Sequence, residues 1–243
     1  MNEKFSHDMH IFTEKVGVYL PEDTHKIIKH RYQIATKLSK GKNTLEVGVG
    51  QGFGIQSIAK YSSEYTGIEY SSENVSYINK IQSNYRIIHG DAHNMPFDDS
   101  EFQIINALAM IYYLDIGKFL DEARRILSLN GTLFFCTSNK DVPGFVQAPF
   151  TTEYYSIPEL RNLLTSSGFD PKFYGSFAKY EQYEFLEKFK VIIKNVIKTI
   201  VNLFPYGGTL WGNMRNRHLG GLKKLPSNID DIKVDEPWEG DFH

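Results

Sequence analysis

The sequence holds a single cysteine, Cys136, among its 243 residues. One cysteine cannot form a disulfide within the chain, and it cannot assemble a cysteine-based zinc site. Long apolar runs are also missing, because no stretch approaches the roughly 20 residues that cross a bilayer, and the chain does not open like a signal peptide. These absences predict a cytoplasmic protein that works under reducing conditions.

Neither sign of charge is in large excess. The formal net charge is -2 and the pI is near 6.5, so a general nucleic-acid binder is not expected. The hydrophobic fraction of 41% suffices for the core of one α/β domain with an appendage.

Closely spaced glycines follow a β-type run in residues 44–52, Thr-Leu-Glu-Val-Gly-Val-Gly-Gln-Gly. Such a turn lets a nucleoside cofactor approach the backbone. Counting from Gly48 places Phe53 where the NAD or FAD fingerprint needs its third glycine, and counting from Gly50 places Ile55 there. No Gly-Lys-Ser/Thr follows, so a P-loop is excluded as well. The loop therefore favours a nucleoside without phosphates.

Further strand patterns occur at residues 65–69, 85–89 and 102–105, and polar residues stand where each of them ends. Glu69 follows the first glycines by roughly 20 residues, the spacing at which nucleotide folds place a carboxylate on ribose hydroxyls. Helical patterns alternate with the strands, which predicts a parallel sheet with helices on both faces.

The helix signals have clear limits. Helical spacing from Phe119 to Leu127 ends at Asn130 and Gly131, ahead of a strand at residues 133–136. Ser156 and Glu159 form a capping box, and Gly168 stands where a C′ glycine belongs. Before residue 40, a helical period is carried by Ile27, Ile28, Ile34, Ala35 and Leu38.

Four motifs together resemble the class I S-adenosylmethionine-dependent methyltransferases, particularly their branch with small-molecule acceptors. They are Glu-Val-Gly-x-Gly-x-Gly, Gly-Ile-Glu, Gly-Asp-Ala-x-x-Met-Pro-Phe and Arg-Arg-Ile-Leu-x-x-x-Gly-Thr-Leu, and they occur in that family's order over about residues 44–177. The resemblance implies a Rossmann-like, doubly wound, mostly parallel sheet of seven strands with helices on both faces. It also implies S-adenosylmethionine as cofactor, S-adenosylhomocysteine as product, and no metal.

The resemblance assigns roles in cofactor binding. Glu69 would hold both ribose hydroxyls, and Glu46 would position the glycine loop and the cofactor's amino group. The methionine and ribose part would be lined by Gly48, Gly50 and Gly52.

The adenine edge would be read by Asp91 and the backbone of Ala92, and Asn106 would lie beside the methionine part, at the end of its strand. His93 lies near the same adenine end, which favours a structural or adenine-side role over that of a base.

No general base is evident. Tyr112 and Tyr113 stand where many relatives carry histidines, so they favour binding over deprotonation, with aromatic packing as an equal alternative. His25, on a helix that could cover the pocket, is the third catalytic candidate. The catalytic residue thus stays open between these three.

The acceptor is expected to be a small polar molecule methylated on oxygen or nitrogen. Residues 106–109 read Asn-Ala-Leu-Ala and lack the Asn/Asp-Pro-Pro-Tyr of enzymes that methylate planar amino nitrogens. A sugar or nucleotide-linked sugar is one candidate, since its phosphates could meet Arg215, Arg217, Lys223 and Lys224. Asn139, Asp141 and the aromatic loop at residues 143–155 are candidate acceptor contacts.

The domains expected are an N-terminal helical cap at residues 1–40, a cofactor-binding core at 41–180 and a basic C-terminal extension at 181–243. An amphipathic helix over residues 185–204 could pack on the core, form a lid, or touch a membrane surface. Residues 228–234 could return as an edge strand beside residues 169–177.

Three functions stay open. The first is a methyltransferase, the second a non-catalytic regulatory protein that binds S-adenosylmethionine, and the third an NAD-dependent oxidoreductase on a similar sheet. The oligomeric state is left open.

Overall fold

A parallel sheet organises the computed structural model, which describes residues 16–142, 145, 147–148, 150–175 and 222–232. In chain order the strands are β1 (Tyr19–Pro21), β2 (Asn43–Val47), β3 (Glu64–Glu69), β4 (Arg86–His89), β5 (Phe102–Leu108), β6 (Leu127–Cys136) and β7 (Leu222–Lys224). Five strands form the main sheet in the order β4-β3-β2-β5-β6, and every neighbouring pair in it is parallel. The Rossmann-like parallel sheet is therefore confirmed, while the described residues place five rather than seven strands in it.

Helices cover both faces of this sheet. They are α1 (Glu22–Ser39), α2 (Ile55–Ala59), α3 (Ser72–Ile81), α4 (Ile116–Ile126) and α5 (Ile157–Ser166), with short 3₁₀ helices at Ile111–Tyr113 and Ile229–Asp231. One apolar cluster joins α4 and α5 to Leu45 and Val47 of β2. A second cluster joins α1, α2 and α3 to Val49 and Tyr65. The alternation of side chains along the strands thus supplies two separate cores.

The predicted limits of α5 are confirmed. Glu159 N–H donates to the Ser156 hydroxyl at 3.3 Å, and Ser156 N–H donates to the Glu159 carboxylate at 2.7 Å. At the other end, Gly168 has φ +79° and Phe169 N–H donates to the Leu164 carbonyl at 2.9 Å, which is a Schellman motif. Local sequence therefore determines both ends of this helix.

The predicted apolar face of α1 is only partly correct. Ile28 and Ala35 are buried, but Ile27 is 40% exposed and Tyr32 takes part in the core instead. Buried positions recur at residues 25, 28, 32, 35 and 39, the three- and four-residue steps of a helix face, and His30 and Arg31 are buried as well.

The boundary between α4 and β6 differs from the prediction. The helix ends at Ile126 and the strand begins at Leu127, so the Asn-Gly turn lies inside the strand rather than before it. Asn130 has φ 62°, and the pairing with β5 shifts between Phe102 and Ile104. The turn therefore makes an irregularity in β6 that leaves Leu129 91% exposed.

The C-terminal residues that the structure describes pack beside the N-terminal ones. β7 pairs antiparallel with β1, and Ile229 N–H donates to the Phe53 carbonyl at 2.8 Å. The edge strand expected at residues 228–234 is wrong, because Ile229–Asp231 is a 3₁₀ helix with Ile229 in the core. The predicted helix at 185–204, Arg215 and Arg217 lie outside the described residues. Among the helices that are described, none has an apolar segment suited to crossing a bilayer.

Leucine truncations should separate core from surface. Leu120 is 0% exposed in the core, so Leu120→Ala should lower the free energy of unfolding by about 2 to 5 kcal/mol through lost burial and a residual cavity. The matched control, Leu129→Ala, removes a side chain that is 91% exposed and should stay within about 0.5 kcal/mol of wild type. Urea unfolding measures both, and equal losses would contradict this packing.

Candidate functional site

The glycine loop follows the carboxyl end of β2. Gly48, Gly50 and Gly52 have φ of 75°, 61° and 78°, a region that residues with a Cβ rarely adopt. Gly48 N–H donates to the Ile68 carbonyl over 2.8 Å, which ties the loop to β3. A Cβ built on Gly50 would meet no atom within 4 Å. The backbone at Gly50 therefore borders open space.

Glu69, the last residue of β3, is hydrogen-bonded to that loop. Its Oε2 accepts the Gly50 N–H at 2.7 Å, and its Oε1 accepts the Ser71 N–H at 2.9 Å. The residue is 6% exposed. Burial raises the pKa of the carboxyl, although hydrogen bonds from Ser71 and Gly50 oppose the rise. Hydrogen bonds from the Asn74 side chain and the Tyr70 backbone also oppose the rise, so the carboxylate is surrounded by donors.

Asp91 lies just beyond β4 and holds a histidine. Its Oδ1 accepts the His93 backbone N–H at 2.9 Å and lies 2.7 Å from His93 Nδ1. His93 Nε2 accepts the Asp115 N–H at 3.0 Å, so both nitrogens of the ring are held by neighbouring groups. These contacts use Oδ1, which leaves Oδ2 for a ligand N–H. Ala92 between them is buried.

Arg125 of α4 fastens the loop that leaves Asp91. Its guanidinium donates to the carbonyls of Met95 and Phe97 at 3.0 and 2.8 Å. It also pairs with Glu122 at 2.8 Å, and Glu122 in turn accepts the Met95 N–H. Sequence reasoning missed this role, although Arg125 belongs to one of the four motifs.

Glu46 is enclosed within the sheet and α1. It is 1% exposed and accepts the Tyr65 hydroxyl at 2.6 Å and the Tyr32 hydroxyl at 3.3 Å. Burial raises the pKa of its carboxyl to about 7, and the two tyrosine hydrogen bonds limit the rise. Glu46 therefore joins α1 to β3 beneath the glycine loop.

Gly67 lies beside this contact. It pairs with Glu46 across β2 and β3, and the Tyr65 hydroxyl lies 3.5 Å from the position a Gly67 Cβ would take. Such a Cβ would also lie 2.7 Å from Val49 Cγ2, closer than real Cβ atoms approach. The glycine of the Gly-Ile-Glu motif thus makes room for Val49, and Tyr65 is a partner of Glu46 that sequence reasoning missed.

Asn106 does not stand at a strand end, so that expectation is wrong: β5 continues to Leu108. Its side chain is fully buried and donates to the Ser39 hydroxyl at the end of α1 over 3.0 Å. The structure therefore assigns Asn106 a contact between sheet and helix.

An aromatic cluster follows β5. Met110 packs within 3.2 Å of where a Gly48 Cβ would stand, and Tyr112 comes two residues later. Tyr112 stacks on Tyr154 at 4.8 Å and meets Tyr113 edge-on at 4.7 Å, while Phe145 meets Tyr154 edge-on at 4.8 Å. We call these four rings the aromatic cluster.

His25, Asn139 and Asp141 are the remaining candidates. His25 is 4% exposed among the buried positions of α1. Asn139 accepts the Asp141 N–H at 3.0 Å in a local turn. Within the described residues, no three His, Cys, Asp or Glu side chains are grouped so that they could hold a metal ion.

The strand ends bring three of the predicted groups to one edge of the sheet. Glu69 pairs with His89, and Gly90 N–H donates to the Glu69 carbonyl at 3.0 Å, so the turn before Asp91 adjoins β3. The Gly50 backbone, Glu69 and Asp91 therefore follow adjacent parallel strands, where open α/β sheets bind ligands. Open space at Gly50 beside a buried carboxylate fits a ligand with paired hydroxyls, such as a nucleoside ribose.

Known methyltransferases are similar to this chain in sequence. A family profile described as a methyltransferase domain matches residues 45–135. The chain is 27% identical over 158 residues to a probable S-adenosylmethionine-dependent methyltransferase of Mycolicibacterium smegmatis, covering 62% of each chain. It is 26% identical over 160 residues to a ubiquinone biosynthesis O-methyltransferase of Pelagibacter ubique, covering 63% of this chain and 64% of that protein. The match thus spans about three fifths of the length of these relatives.

A solved structure supports the fold. The crystal structure of a SAM-dependent methyltransferase from Archaeoglobus fulgidus superposes with a TM-score of 0.52 at 16% identity, covering 71% of this chain and 86% of that one. At 16% identity, the superposition supports the fold alone.

Glu46 makes stability depend on pH. Because its pKa rises from 4.5 to about 7 on folding, its contribution is fully present below pH 4.5 and is lost as the pH rises through 7. Between pH 4.5 and about pH 8, the free energy of unfolding of Glu46→Gln should therefore gain about 3 kcal/mol relative to wild type. Chemical denaturation across this range measures the difference.

The control is Glu64→Gln, which changes an exposed carboxyl on the same strand as Tyr65. Its pH profile should run parallel to that of wild type. A parallel profile for Glu46→Gln as well would contradict a buried, protonatable Glu46.

Proposed function

Because the chain belongs to the class I S-adenosylmethionine-dependent methyltransferase family, we propose that it binds S-adenosylmethionine at the carboxyl ends of β2, β3 and β4 and methylates a small polar acceptor. The observation that carries the proposal is the buried carboxylate of Glu69, hydrogen-bonded to the Gly50 N–H beside open space. A carboxylate so placed suits the two neighbouring hydroxyls of a ribose.

Different residues bind different parts of the cofactor. Glu69 accepts hydrogen bonds from both ribose hydroxyls, and the backbone of the glycine loop faces the methionine and ribose part. Asp91 accepts from the adenine amino group through Oδ2, while His93 and Arg125 hold its loop in place. The role of Glu46 is indirect, because its carboxyl contacts the hydroxyls of Tyr32 and Tyr65 rather than open space.

When bound, the cofactor supplies an electrophilic sulfonium methyl group, which an oxygen or nitrogen of the acceptor attacks in line. Transfer would break the S–C bond of the cofactor, leave S-adenosylhomocysteine and release a proton from the acceptor. The chain contributes mainly by holding the two reactants in line, since positioning alone can supply most of the rate. An acceptor amine that is already unprotonated needs no base for this step.

The aromatic cluster forms the acceptor side of the proposed site. Thr152 N–H donates to the Tyr112 carbonyl at 2.7 Å, so the loop after Phe150 is held against the segment that follows β5. Aromatic faces suit flat or sugar rings and a cationic sulfonium. Burial raises the pKa of Tyr154, which favours a binding role over that of a base at neutral pH.

Oxygen acceptors are tested first, because one relative is named as an O-methyltransferase. Nucleotide-linked sugars join the screen, since exposed Lys223 and Lys224 lie on β7. β7 pairs with β1, and Val16 just before β1 donates to the Gln51 side chain at 3.0 Å. These lysines therefore belong to a segment beside the glycine loop.

Glu69→Gln should weaken cofactor binding while Glu64→Gln should not. Hydrogen bonds to a charged group contribute about 1.5 to 3 kcal/mol each, so losing the carboxylate charge should raise the Kd for S-adenosylhomocysteine at least about tenfold. Calorimetry with S-adenosylmethionine, S-adenosylhomocysteine and NAD measures this. Binding of NAD alone would contradict the proposal. Cofactor binding without methyl transfer to any acceptor in the screen would instead support a regulatory protein.

Tyr112→Ala should raise the acceptor KM several-fold and leave the cofactor Kd within about twofold, because the ring lies in the aromatic cluster. Tyr77→Ala, which removes a tyrosine that is 39% exposed on α3, is the control. Steady-state release of S-adenosylhomocysteine reports the KM, and calorimetry reports the Kd. If the KM of Tyr112→Ala is unchanged, the aromatic cluster is not part of the acceptor site, and this part of the proposal is wrong.

A further inference from the structure

A second concave site lies between α1, α2 and the 3₁₀ helix at Ile229–Asp231. It encloses about 350 Å³, within the range of small-molecule pockets. We call it the basic groove; its lining includes Lys29, Lys37, Lys40, Lys60, Tyr61 and Asp230. None of its lining residues belongs to the glycine loop or to the strand ends at Glu69 and Asp91.

The charges in the basic groove do not balance. Four lysines and one aspartate line it. Lys29 is satisfied, because its Nζ lies 3.0 Å from Asp230 Oδ1 and donates to the Ile229 carbonyl at 3.1 Å. Within the described ranges, Lys37, Lys40 and Lys60 have no carboxylate in ion-pair distance. Lys60 instead lies 5.5 Å from the ring centre of Tyr61.

Neutral groups add further donors and an aromatic surface. Gln33, Thr36 and Ser57 also line the basic groove and present amide and hydroxyl donors beside the lysines. Tyr61 is 46% exposed at its rim. Ammonium groups bind phosphate oxygens as point charges, and an exposed ring can stack on a planar group.

We propose that the basic groove binds a small molecule that carries several linked phosphates, such as a nucleoside polyphosphate. Four lysines against one aspartate leave an excess of three positive charges in one cavity, which a single phosphate or carboxylate does not balance. Four positive charges that line one concavity repel each other less when an anion lies between them. The site is separate from the proposed cofactor site and does not depend on it.

The test uses the full chain and inorganic tripolyphosphate as the probe, measured by calorimetry at about 0.05 and 0.15 M salt. Wild type should bind one equivalent, more weakly at the higher salt. Lys37→Gln combined with Lys40→Gln should weaken binding at least about tenfold, because charge-assisted hydrogen bonds are lost. Thermal melting of each variant shows that the exposed substitutions leave the fold intact.

The matched control combines Lys80→Gln with Lys172→Gln, two exposed lysines outside the basic groove. This pair removes the same charge and should change the Kd less than about twofold. If both double variants lose the same affinity, tripolyphosphate binding depends on net charge alone and the proposal is wrong. Absence of saturable binding to wild type would also overturn the proposal.

A last variant tests whether an acidic segment of the chain itself occupies the basic groove. The sequence after Ile232 carries four acids, Asp235, Glu236, Glu239 and Asp241. Changing all four to their amides should leave the Kd within about threefold of wild type. If tripolyphosphate binds that variant alone, the anion that the basic groove accepts is the chain's own acidic segment, and the proposal of a phosphorylated ligand is wrong.

Discussion

The hydrogen bond from the Gly50 N–H to Glu69 is the contact on which the proposed cofactor site depends. It joins the loop after β2 to the end of β3, and it keeps a carboxylate that is 6% exposed beside open space. A buried carboxylate without donors would be costly, so the backbone N–H groups of Gly50 and Ser71 stabilise it. The positive φ angles of the glycines make that approach of loop and strand possible.

Glu46 and Glu69 are both buried carboxylates, but their surroundings differ. Glu46 lies on the strand before the loop, but its partners are the hydroxyls of Tyr32 and Tyr65 in the interior. Glu69 stands at the edge of the sheet, where a ligand can reach it, whereas Glu46 connects α1 to the sheet. Both have a raised carboxyl pKa because of burial, and the role in ligand binding is proposed for Glu69 alone.

Features written in contiguous sequence could be predicted, and features that depend on distant packing could not. The glycine loop, the carboxylate at the end of β3 and the caps of α5 all follow from short motifs. The Tyr32 contact to Glu46 depends on how α1 lies on the sheet, and β1 pairs with β7 about 200 residues away through only three residues each. Asn106 was misplaced because β5 runs three residues beyond its β-branched segment. The Asn-Gly turn was recognised, but its place inside β6 depends on pairing with β5.

The most direct measurement is a crystal structure of the protein with S-adenosylhomocysteine. The account predicts both ribose hydroxyls within hydrogen-bond distance of the Glu69 carboxylate, the adenine amino group at Asp91 Oδ2, and the bond between Glu69 and the Gly50 N–H retained. A nucleoside bound away from this edge of the sheet, or a Glu69 side chain turned away from the ribose, would contradict it.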